Sequence, residues 1–269
     1  MKKSNSYALI ACLLVFQSCS WLLVLSPVAL ALYQVDSPPL LMDHDYYFTI
    51  RLKDSGKVLA LQTTRLSKDN STITDATFAR RSDNGTARNI QTLTRYVLNN
   101  NKLTVLFQQA TVYKEGKTCQ TRQFNFNWDN YKASLEMRDN IKNTVNTKNI
   151  KLTAKTVLAG ASNYYFQNLI SRNIQQDKFT MLTNDGDIYN MSVNISYVPQ
   201  TIALQGKNIA CFRVDMKADL GLFSIVAPNM AFYFNAKPPY DFVRYEGLES
   251  GPNSPNIIEE MVDALPADQ

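Results

Sequence analysis

The stretch YNMSVNISY, residues 189–197, alternates apolar and polar side chains without interruption. Successive side chains of a β-strand point to opposite faces, so this alternation gives the strand one apolar face and one polar face. Such strands are typical of antiparallel sheets that are covered on one side only. The preceding Asn184-Asp185-Gly186 is a turn signal, so we expect antiparallel strands joined by tight turns.

The same period-two pattern recurs on both sides of this stretch. In residues 45–52, Tyr, Phe and Ile fall on one face, and in residues 123–128, QFNFNW, the three aromatic side chains share a face. Other predicted strands are 58–64, 92–98, 102–109, 131–137, 150–154, 210–216, 230–235 and 241–245. Residues 65–90 are polar and contain a turn signal, and residues 138–148 are expected to form a loop.

One mid-chain helix is predicted over residues 162–174, where Ser162 or Asn163 can cap the first turn. A short terminal helix is expected over Ile257–Leu265. About ten strands and one central helix predict a mainly β fold of the α+β class. The expected architecture is a curved antiparallel sheet or open barrel of about ten strands, with the helix packed against it.

An uncharged, largely apolar run from Tyr7 to Leu32 follows two lysines at the N-terminus. It closes with Ala29-Leu30-Ala31, a small-x-small pattern that a signal peptidase cuts, so residues 1–31 are expected to be a signal peptide cleaved after Ala31. The run is also long enough to span a bilayer, so a retained membrane anchor is a second interpretation. Lipid modification of Cys19 is a third. Each interpretation places the remaining chain outside the cytosol.

The chain after this segment is expected to hold a linker and one domain. Residues 32–44 are interpreted as the linker, because Asp36-Ser37-Pro38-Pro39 cannot continue a helix or a central strand. Residues 45–265 are expected to form a single β-rich domain of unknown function. The roughly 237 residues after the cleavage site suffice for one such domain with a sizeable core.

Charge and motifs argue against several classes of function. The chain has 28 basic and 23 acidic residues, and without Lys2 and Lys3 the balance is 26 to 23, which is not typical of a nucleic-acid-binding surface. No Walker loop, G-x-S-x-G elbow or C-x-x-C pair occurs, and His44 is the one histidine. We therefore assign no catalytic residue, metal site or cofactor, and interpret Asp43-His44-Asp45 as the solvated start of a strand.

Two cysteines, Cys119 and Cys211, follow the export segment. In an oxidising compartment they could form one disulfide that closes a loop of about 90 residues. The alternative is two buried free thiols in neighbouring or separate strands, and only their spatial separation can decide between the two.

Aromatic side chains are the candidate ligand contacts. Those assigned to ligand binding are Phe124, Phe126, Trp128, Tyr165, Tyr189 and Tyr197. One interpretation makes them a hydrophobic core, because burying aromatic rings holds such a sheet together. The other makes them the wall of an apolar groove that a curved sheet can enclose, suited to a lipid-like or other envelope molecule.

Four short segments occur in an informative order. They are QFNFNW (123–128), SNYYFQNLI (162–170), TNDGDIY (183–189) and Gly206 followed by CFRV (211–214). Together they resemble a bacterial family of exported envelope proteins known only as a domain of unknown function. The resemblance implies a periplasmic β protein without assigned catalytic residues and, more loosely, a half-barrel like those that carry lipoproteins between membranes. The chain departs from the family near residues 232–239, where FYFN and Pro-Pro replace a Trp, an Asp and a Pro-Val strand.

These observations lead to one main hypothesis and two alternatives. The main hypothesis is a non-catalytic periplasmic protein that binds an apolar ligand or another envelope component. The first alternative is an interaction or structural protein held at the inner membrane through residues 7–32 alone. The second is an envelope hydrolase that uses carboxylates. The sequence assigns neither the ligand nor the oligomeric state.

Overall fold

The computed structural model describes residues 35–36, 42–83, 86–99, 102–219, 229–249 and 254–265. They belong to a compact unit that spans Leu32–Gln269, and the expected export segment 1–31 lies outside the described residues. The strands are β1 (Val35–Asp36), β2 (His44–Leu52), β3 (Val58–Asp69), β4 (Thr72–Asp83), β5 (Thr86–Asn99), β6 (Lys102–Lys114), β7 (Lys117–Asn127), β8 (Lys132–Asp139), β9 (Thr144–Lys151), β10 (Thr156–Leu158), β11 (Gln176–Leu182), β12 (Ile188–Leu204), β13 (Lys207–Ala218), β14 (Met230–Asn235), β15 (Phe242–Leu248) and β16 (Asn256–Val262). Helix α1 spans Ser162–Ser171 and follows a 3-10 turn at Ala159–Ala161.

Fifteen of these strands lie side by side in one sheet, in the order β10 to β16 followed by β2 to β9. Neighbours along this path are antiparallel except β10 and β11, which are parallel and are connected through α1. Strand β16 pairs with β2, and this pairing joins the C-terminal half of the sheet to its N-terminal half. The two residues of β1 pair with β6, so part of the expected linker 32–44 joins the sheet. The predicted mainly β class is confirmed, with more strands than the ten expected.

The sheet curls until its two edges approach each other. Fifteen strands about 4.8 Å apart would span roughly 70 Å if the sheet were flat. Residues 152–155 connect the edge strands β9 and β10, and so short a connection reaches at most about 17 Å. The β11–β12 turn contacts β9, because Lys148 Nζ lies 2.8 Å from Asp187 Oδ1. Gly186 in this turn has a φ of 77°, and a Cβ there would lie 2.8 Å from Leu135 Cδ2. Among the described residues no ladder joins β9 to β10, so the sheet is curved and open.

Three segments differ from the sequence expectation. Strand β4 lies inside the polar stretch 65–90. Strand β9 begins inside the expected loop 138–148 and ends at Lys151, within the predicted strand 150–154. Both lack a clear apolar alternation, because most inward residues of β4 are polar or small and β9 is a largely solvent-exposed edge. The expected terminal helix is instead strand β16, which pairs with both β15 and β2. Cross-strand pairing outweighs the helix-like spacing of its apolar residues.

The mid-chain helix is confirmed, although it ends at Ser171 and lacks the expected cap. No side-chain cap is present, and Ser162 Oγ instead donates to the Ala159 carbonyl at 2.8 Å. Asn173, with a φ of 56°, turns the chain away from the helix axis. No helix among the described residues has both the length and the apolar character needed to cross a membrane.

The sheet carries two hydrophobic cores on opposite faces. The larger core lies between α1 and the inner face, which we define as the face toward the helix, and it draws residues from strands on both sides of the β16–β2 junction. The smaller core lies on the outer face. There the end of the β12–β13 hairpin, after a register shift between Ser196 and Gln200, packs Ile202 and Leu204 against Tyr233.

Candidate binding face of the sheet

Cross-strand register identifies the side chains that face the helix. Phe124, Gln108, Thr94 and Asp75 are paired in sequence across β7, β6, β5 and β4, so they lie on one face. Helix α1 touches this row, because Tyr164 Oη donates to Asp75 Oδ2 at 2.6 Å. The row therefore belongs to the inner face, and residues two, four and six positions farther along each regular strand face the same way.

Aromatic packing fills the inner face beneath the helix. Phe166 is fully buried, and its ring centroid lies 4.9 Å from that of Phe232 and 6.2 Å from those of Phe179 and Phe234. The edge-to-face geometry at Phe232 and Phe234 is favourable for aromatic pairs. This part of the inner face is closed.

Polar contacts also hold α1 in place. Tyr165 Oη donates to Asp177 Oδ2 at 2.7 Å, and Gln167 Nε2 donates to the Tyr240 carbonyl at 3.1 Å. Tyr197 Oη donates to the Ile174 carbonyl at 3.0 Å, just beyond the end of the helix. These bonds, together with the Tyr164–Asp75 bond, tie the helix to strands on both sides of it.

The predicted ligand contacts lie mostly in this core. Phe124 is 1% exposed, and it stacks on Phe126, which in turn stacks on Trp128 at centroid distances of 5.9 and 5.8 Å. Trp128 Nε1 donates to the Val105 carbonyl at 2.6 Å, which satisfies its buried N–H.

The three tyrosines of that set do not share one surface. Tyr165 is buried beside Phe179, Tyr197 is half-buried, and Tyr189 is 39% exposed near the start of β12. The structure thus brings together the aromatic residues of β7 but does not join all six into one groove. Their role in ligand binding stays a prediction.

Beyond the helix, the inner face changes character. The row next to the Asp75 row contains Thr77, Thr92 and Ala110, and the following row contains Ala79, Ile90 and Val112. We call these six residues the uncovered inner face. All are half-buried except Ala79, which is buried. Apart from Ile90 and Val112, these side chains are small, so they leave room above the sheet.

Arginines also face this side. Arg81 and Arg88 are direct cross-strand partners in the inward register, and Arg122 pairs with Ala110 in the same sense. Arg81 forms an ion pair with Glu249, and Arg122 Nη1 lies 3.2 Å from Asp185 Oδ1 in an exposed pair.

A groove of about 410 Å³ continues the uncovered inner face toward the hairpin ends of β5, β6 and β7. We call it the inner groove; its described lining is Thr86, Arg88, Val112, Lys114, Cys119, Gln120 and Ile141. Register places Thr86, Arg88, Val112 and Gln120 on the inner face. Sequence reasoning missed this site, because its residues alternate with equally polar outward neighbours.

Two inward carboxyl groups have perturbed acidity. Burial raises the pKa of Asp75, although hydrogen bonds from Tyr164 and Thr77 oppose the shift. Burial raises the pKa of Glu259 to about 7. Glu259 is the cross-strand partner of both Ile50 and Tyr245, so its nearest neighbours in the sheet are apolar or aromatic.

The positions of these two carboxyl groups bear on the hydrolase alternative. Glu259 shares an inward row with Arg81, through Ile50 and Ala60. Asp75 lies six residues from Arg81 along β4, which is roughly 20 Å along the strand direction. Paired carboxyl groups of glycosidases lie about 5–9.5 Å apart, so Asp75 and Glu259 do not form such a pair.

A larger groove, about 680 Å³, runs along β11 to β13, and most of its described lining residues point to the outer face. Two aspartates and two lysines among its described lining residues balance in charge. Asp177 accepts from Lys155 and Tyr165, and Asp215 accepts from Arg213 and Asn229. These carboxylates therefore already have partners in the described chain.

Both cysteines of the described chain are free, so the disulfide that the sequence allowed is not formed. Cys119 is partly exposed at a register shift of β7 and lines the inner groove, whereas Cys211 is 0% exposed in the outer-face core. They lie on β7 and β13, in opposite halves of the sheet. Within the described ranges no group of three His, Cys, Asp or Glu side chains could hold a metal ion.

No protein-family model matches this chain, and no curated protein matches it. The resemblance to the exported envelope family therefore stays a prediction.

Proposed function

We propose that this protein is a non-catalytic binding protein of the bacterial cell envelope. It holds an apolar or amphiphilic molecule against the uncovered inner face of its curved sheet. The observation that carries this proposal is the change in inward side chains along β4 to β6. The row that α1 contacts on these strands holds the polar residues Asp75, Thr94 and Gln108. The rows beyond it hold less polar residues such as Ala110, Ile90 and Val112.

This change has a simple physical consequence. A sheet face that no described element covers leaves apolar surface in contact with water, and burying that surface is favourable by about 25 cal/mol per Å². A ligand that covers Ile90 and Val112 would gain this free energy. The bonds that fix α1 favour binding beside the helix over displacement of it.

A matched pair of substitutions tests this proposal. Ala110→Phe would fill the space above the inner face, whereas Ala76→Phe adds the same ring to an exposed position on the outer face. The probe is N-phenyl-1-naphthylamine, an uncharged apolar dye whose fluorescence rises on binding. We expect the wild type and Ala76→Phe to bind alike, and Ala110→Phe to bind at least about tenfold more weakly, because the ring occupies the ligand volume.

The buried thiol of Cys211 provides a check on folding in both variants, since it should react with a thiol reagent only when the sheet opens. Absence of dye binding to the wild type, or equal binding to a correctly folded Ala110→Phe variant, would refute the proposal.

We also propose that the protein works in the periplasm after removal of residues 1–31. The support is the apolar N-terminal run and its Ala29-Leu30-Ala31 terminus. N-terminal sequencing of the protein from the cell envelope should give Leu32 as the first residue. Recovery of the intact N-terminus in the membrane fraction would instead support the anchored alternative.

A further inference from the structure

The hairpin at one edge of the sheet exposes two aliphatic side chains. Ile141, in the β8–β9 turn, is 74% exposed, and Val145, near the start of β9, is 53% exposed. Aliphatic surface in contact with water carries a free-energy cost that a covering partner would remove. Both residues lie at the open edge of the sheet, since β9 pairs with β8 alone among the described strands.

Hydrogen bonds fix the conformation of this turn. Asp139 Oδ1 accepts from the backbone N–H groups of Ile141 and Lys142, each at 3.0 Å. The backbone N–H of Asn140 donates to the Cys119 carbonyl on the neighbouring strand β7 at 2.8 Å. The exposed isoleucine therefore stands on a turn that is held to the sheet.

Positive charge lies beside both aliphatic residues. Lys142 follows Ile141 in the turn, and Arg138 is the direct cross-strand partner of Val145. The hairpin as a whole, residues 132–151, contains five basic and two acidic residues. Aliphatic side chains flanked by Lys and Arg suit the boundary of a phospholipid bilayer, where apolar groups enter the acyl region and basic groups meet anionic headgroups.

Ion pairs use part of this charge without reversing it. Glu136 lies 3.3 Å from Arg138, and Asp187 lies 2.8 Å from Lys148. Three lysines and Asp139 remain on the hairpin, and the Asp139 carboxylate already accepts two backbone bonds of the turn. On the neighbouring β6–β7 turn, two lysines stand beside one glutamate.

A bilayer fits this end of the hairpin better than a protein partner does. Stable protein interfaces bury about 800 Å² on each partner, and a turn with two separate aliphatic side chains provides no continuous patch of that size. A fluid bilayer needs no complementary shape, so a projecting turn can enter its interface.

The turn also stands at the open end of the inner groove. Ile141 lines this groove together with Val112 and Gln120, which belong to the inner face. A bilayer in contact with Ile141 would therefore lie against the open end of the groove. Lys132 and Lys151, paired at the other end of the hairpin, are roughly 24 Å farther along the strands and remain clear of such a surface.

We propose that the turn end of the β8–β9 hairpin docks on the surface of an anionic phospholipid bilayer. Ile141 and Val145 enter the interface, and Lys142 and Arg138 meet the lipid phosphates. Two aliphatic side chains give a weak and reversible contact, as a single acyl anchor does. The docking is independent of the proposed function, whereas its consequence, the passage of an apolar ligand between the bilayer and the inner groove, rests on that proposal.

Lysine footprinting of the full chain tests the docking. The acetylation rate of each lysine is measured by mass spectrometry without vesicles, with phosphatidylcholine vesicles, and with mixed vesicles in which phosphatidylglycerol makes up about a quarter of the lipid. We expect the mixed vesicles to slow acetylation of Lys142 at least about fivefold, because anionic headgroups attract and cover it. Lys132 and Lys151 should change less than about twofold, since they lie far from the turn. All three lysines are compared in one molecule, so the result does not depend on whether residues 1–31 are retained.

A matched pair of substitutions tests the apolar contact. Ile141→Ser removes the side chain that enters the interface, whereas Val198→Ser changes an aliphatic side chain of equal exposure, 74%, on β12 in the other half of the sheet. Ile141→Ser should raise the lipid concentration that gives half-maximal protection of Lys142 about tenfold, because the inserted aliphatic surface is lost. Val198→Ser should leave it within about twofold. An unreactive Cys211 thiol in both variants shows that the fold is intact.

Three results would overturn the docking inference. They are no protection of Lys142 by the mixed vesicles, equal protection of Lys132 and Lys151, and equal protection by vesicles of phosphatidylcholine alone. Polyglutamate, a soluble polyanion without an apolar phase, serves as a further probe. If it protects Lys142 as well as the mixed vesicles do and Ile141→Ser has no effect, the hairpin binds acidic chains and the bilayer is the wrong partner.

The dye-binding test of the proposed function needs no vesicles, so the two proposals can fail separately. Protection of Lys142 without dye binding would support the docking and refute the ligand proposal. Dye binding without protection of Lys142 would do the reverse.

Discussion

Strands β13 to β15 and strands β3 to β7 belong to one sheet, yet they differ in what covers them. The first group is buried on both faces, because α1 packs on the inner side and the β12–β13 hairpin packs on the outer side. Phe234 and Val243, which point to opposite faces, are each 0% exposed. In the second group the outer face exposes Phe78 and Leu106 by more than two-fifths, and among the described elements only α1 covers the inner face, in part.

We infer from this difference that β13 to β15 mainly stabilise the fold, whereas β3 to β7 provide the binding surface. Residues packed on both faces resist local opening, whereas strands with an open face can change their contacts at low cost. The bulk of the stabilising free energy should therefore come from β13 to β16 and α1. The uncovered inner face and inner groove lie in the half where substitutions should affect stability least and binding most.

The largest expected effect is a loss of stability on substitution of Phe166, at the centre of the packed half. Phe166→Ala removes a ring that is fully enclosed by Phe179, Phe232 and Phe234, so it should lower the free energy of unfolding by about 3–5 kcal/mol. Leu106→Ala, at an exposed position on β6, should cost less than about 1 kcal/mol. Urea unfolding followed by tryptophan fluorescence measures both, and comparable losses would abolish the distinction between the two halves.

The same distinction explains which features were predictable from sequence. The YNMSVNISY strand has one buried and one solvated face, so its alternation is visible, and it forms the first part of β12. On β4 the inward residues Thr77, Ala79 and Arg81 are polar or small, so they give no apolar alternation and the strand was missed. The inner groove was missed for the same reason, because register, and not local sequence, places Arg88 opposite Arg81.

Helix α1 and strand β16 show the limits of periodicity. The helix was recognised because Phe166, Leu169 and Ile170 follow the helical repeat, and all three are buried. Strand β16 has apolar residues spaced as in a short helix, but ladders with β15 and β2 satisfy its backbone groups on both sides. The helix also fills the space that the aromatic residues might otherwise have offered to a ligand, and no local pattern reveals that docking.

A second test concerns the ion pairs of the packed half. Glu260 is only 6% exposed at its side chain, between Arg51, 2.7 Å away, and Arg244, which also donates to the Ala203 carbonyl of the folded-over hairpin. Glu260→Ala leaves the mostly buried Arg244 guanidinium with only its longer contact to Glu246, at 3.5 Å, so we expect a loss of about 2–3 kcal/mol. The hairpin should loosen with it, and alkylation of Cys211 should become faster.

An exposed ion pair serves as the control for Glu260. Lys148→Ala breaks the pair with Asp187, in which both side chains are about half-exposed, and should change stability by less than about 1 kcal/mol. Equal effects of Glu260→Ala and Lys148→Ala would mean that the outer covering of the C-terminal half contributes little.

The smallest effect is a pH dependence at the junction of the two halves. Glu259 lies on β16, inward between β15 and β2, and burial raises its pKa from 4.5 to about 7. An acid whose folded-state pKa is raised binds its proton more tightly in the folded state, so its contribution to stability is fully present below about pH 4.5. That contribution is lost as the pH rises toward 7. Because the side chain keeps some solvent contact, we expect a loss of about 2 kcal/mol over this window.

Urea unfolding at pH 5 and pH 8 should show the decrease in the wild type and in Glu136→Gln, which changes an exposed carboxyl on β8. Glu259→Gln should remove the decrease in stability, since the amide does not titrate. An unchanged decrease in that variant would show that a group other than Glu259 titrates over this pH range.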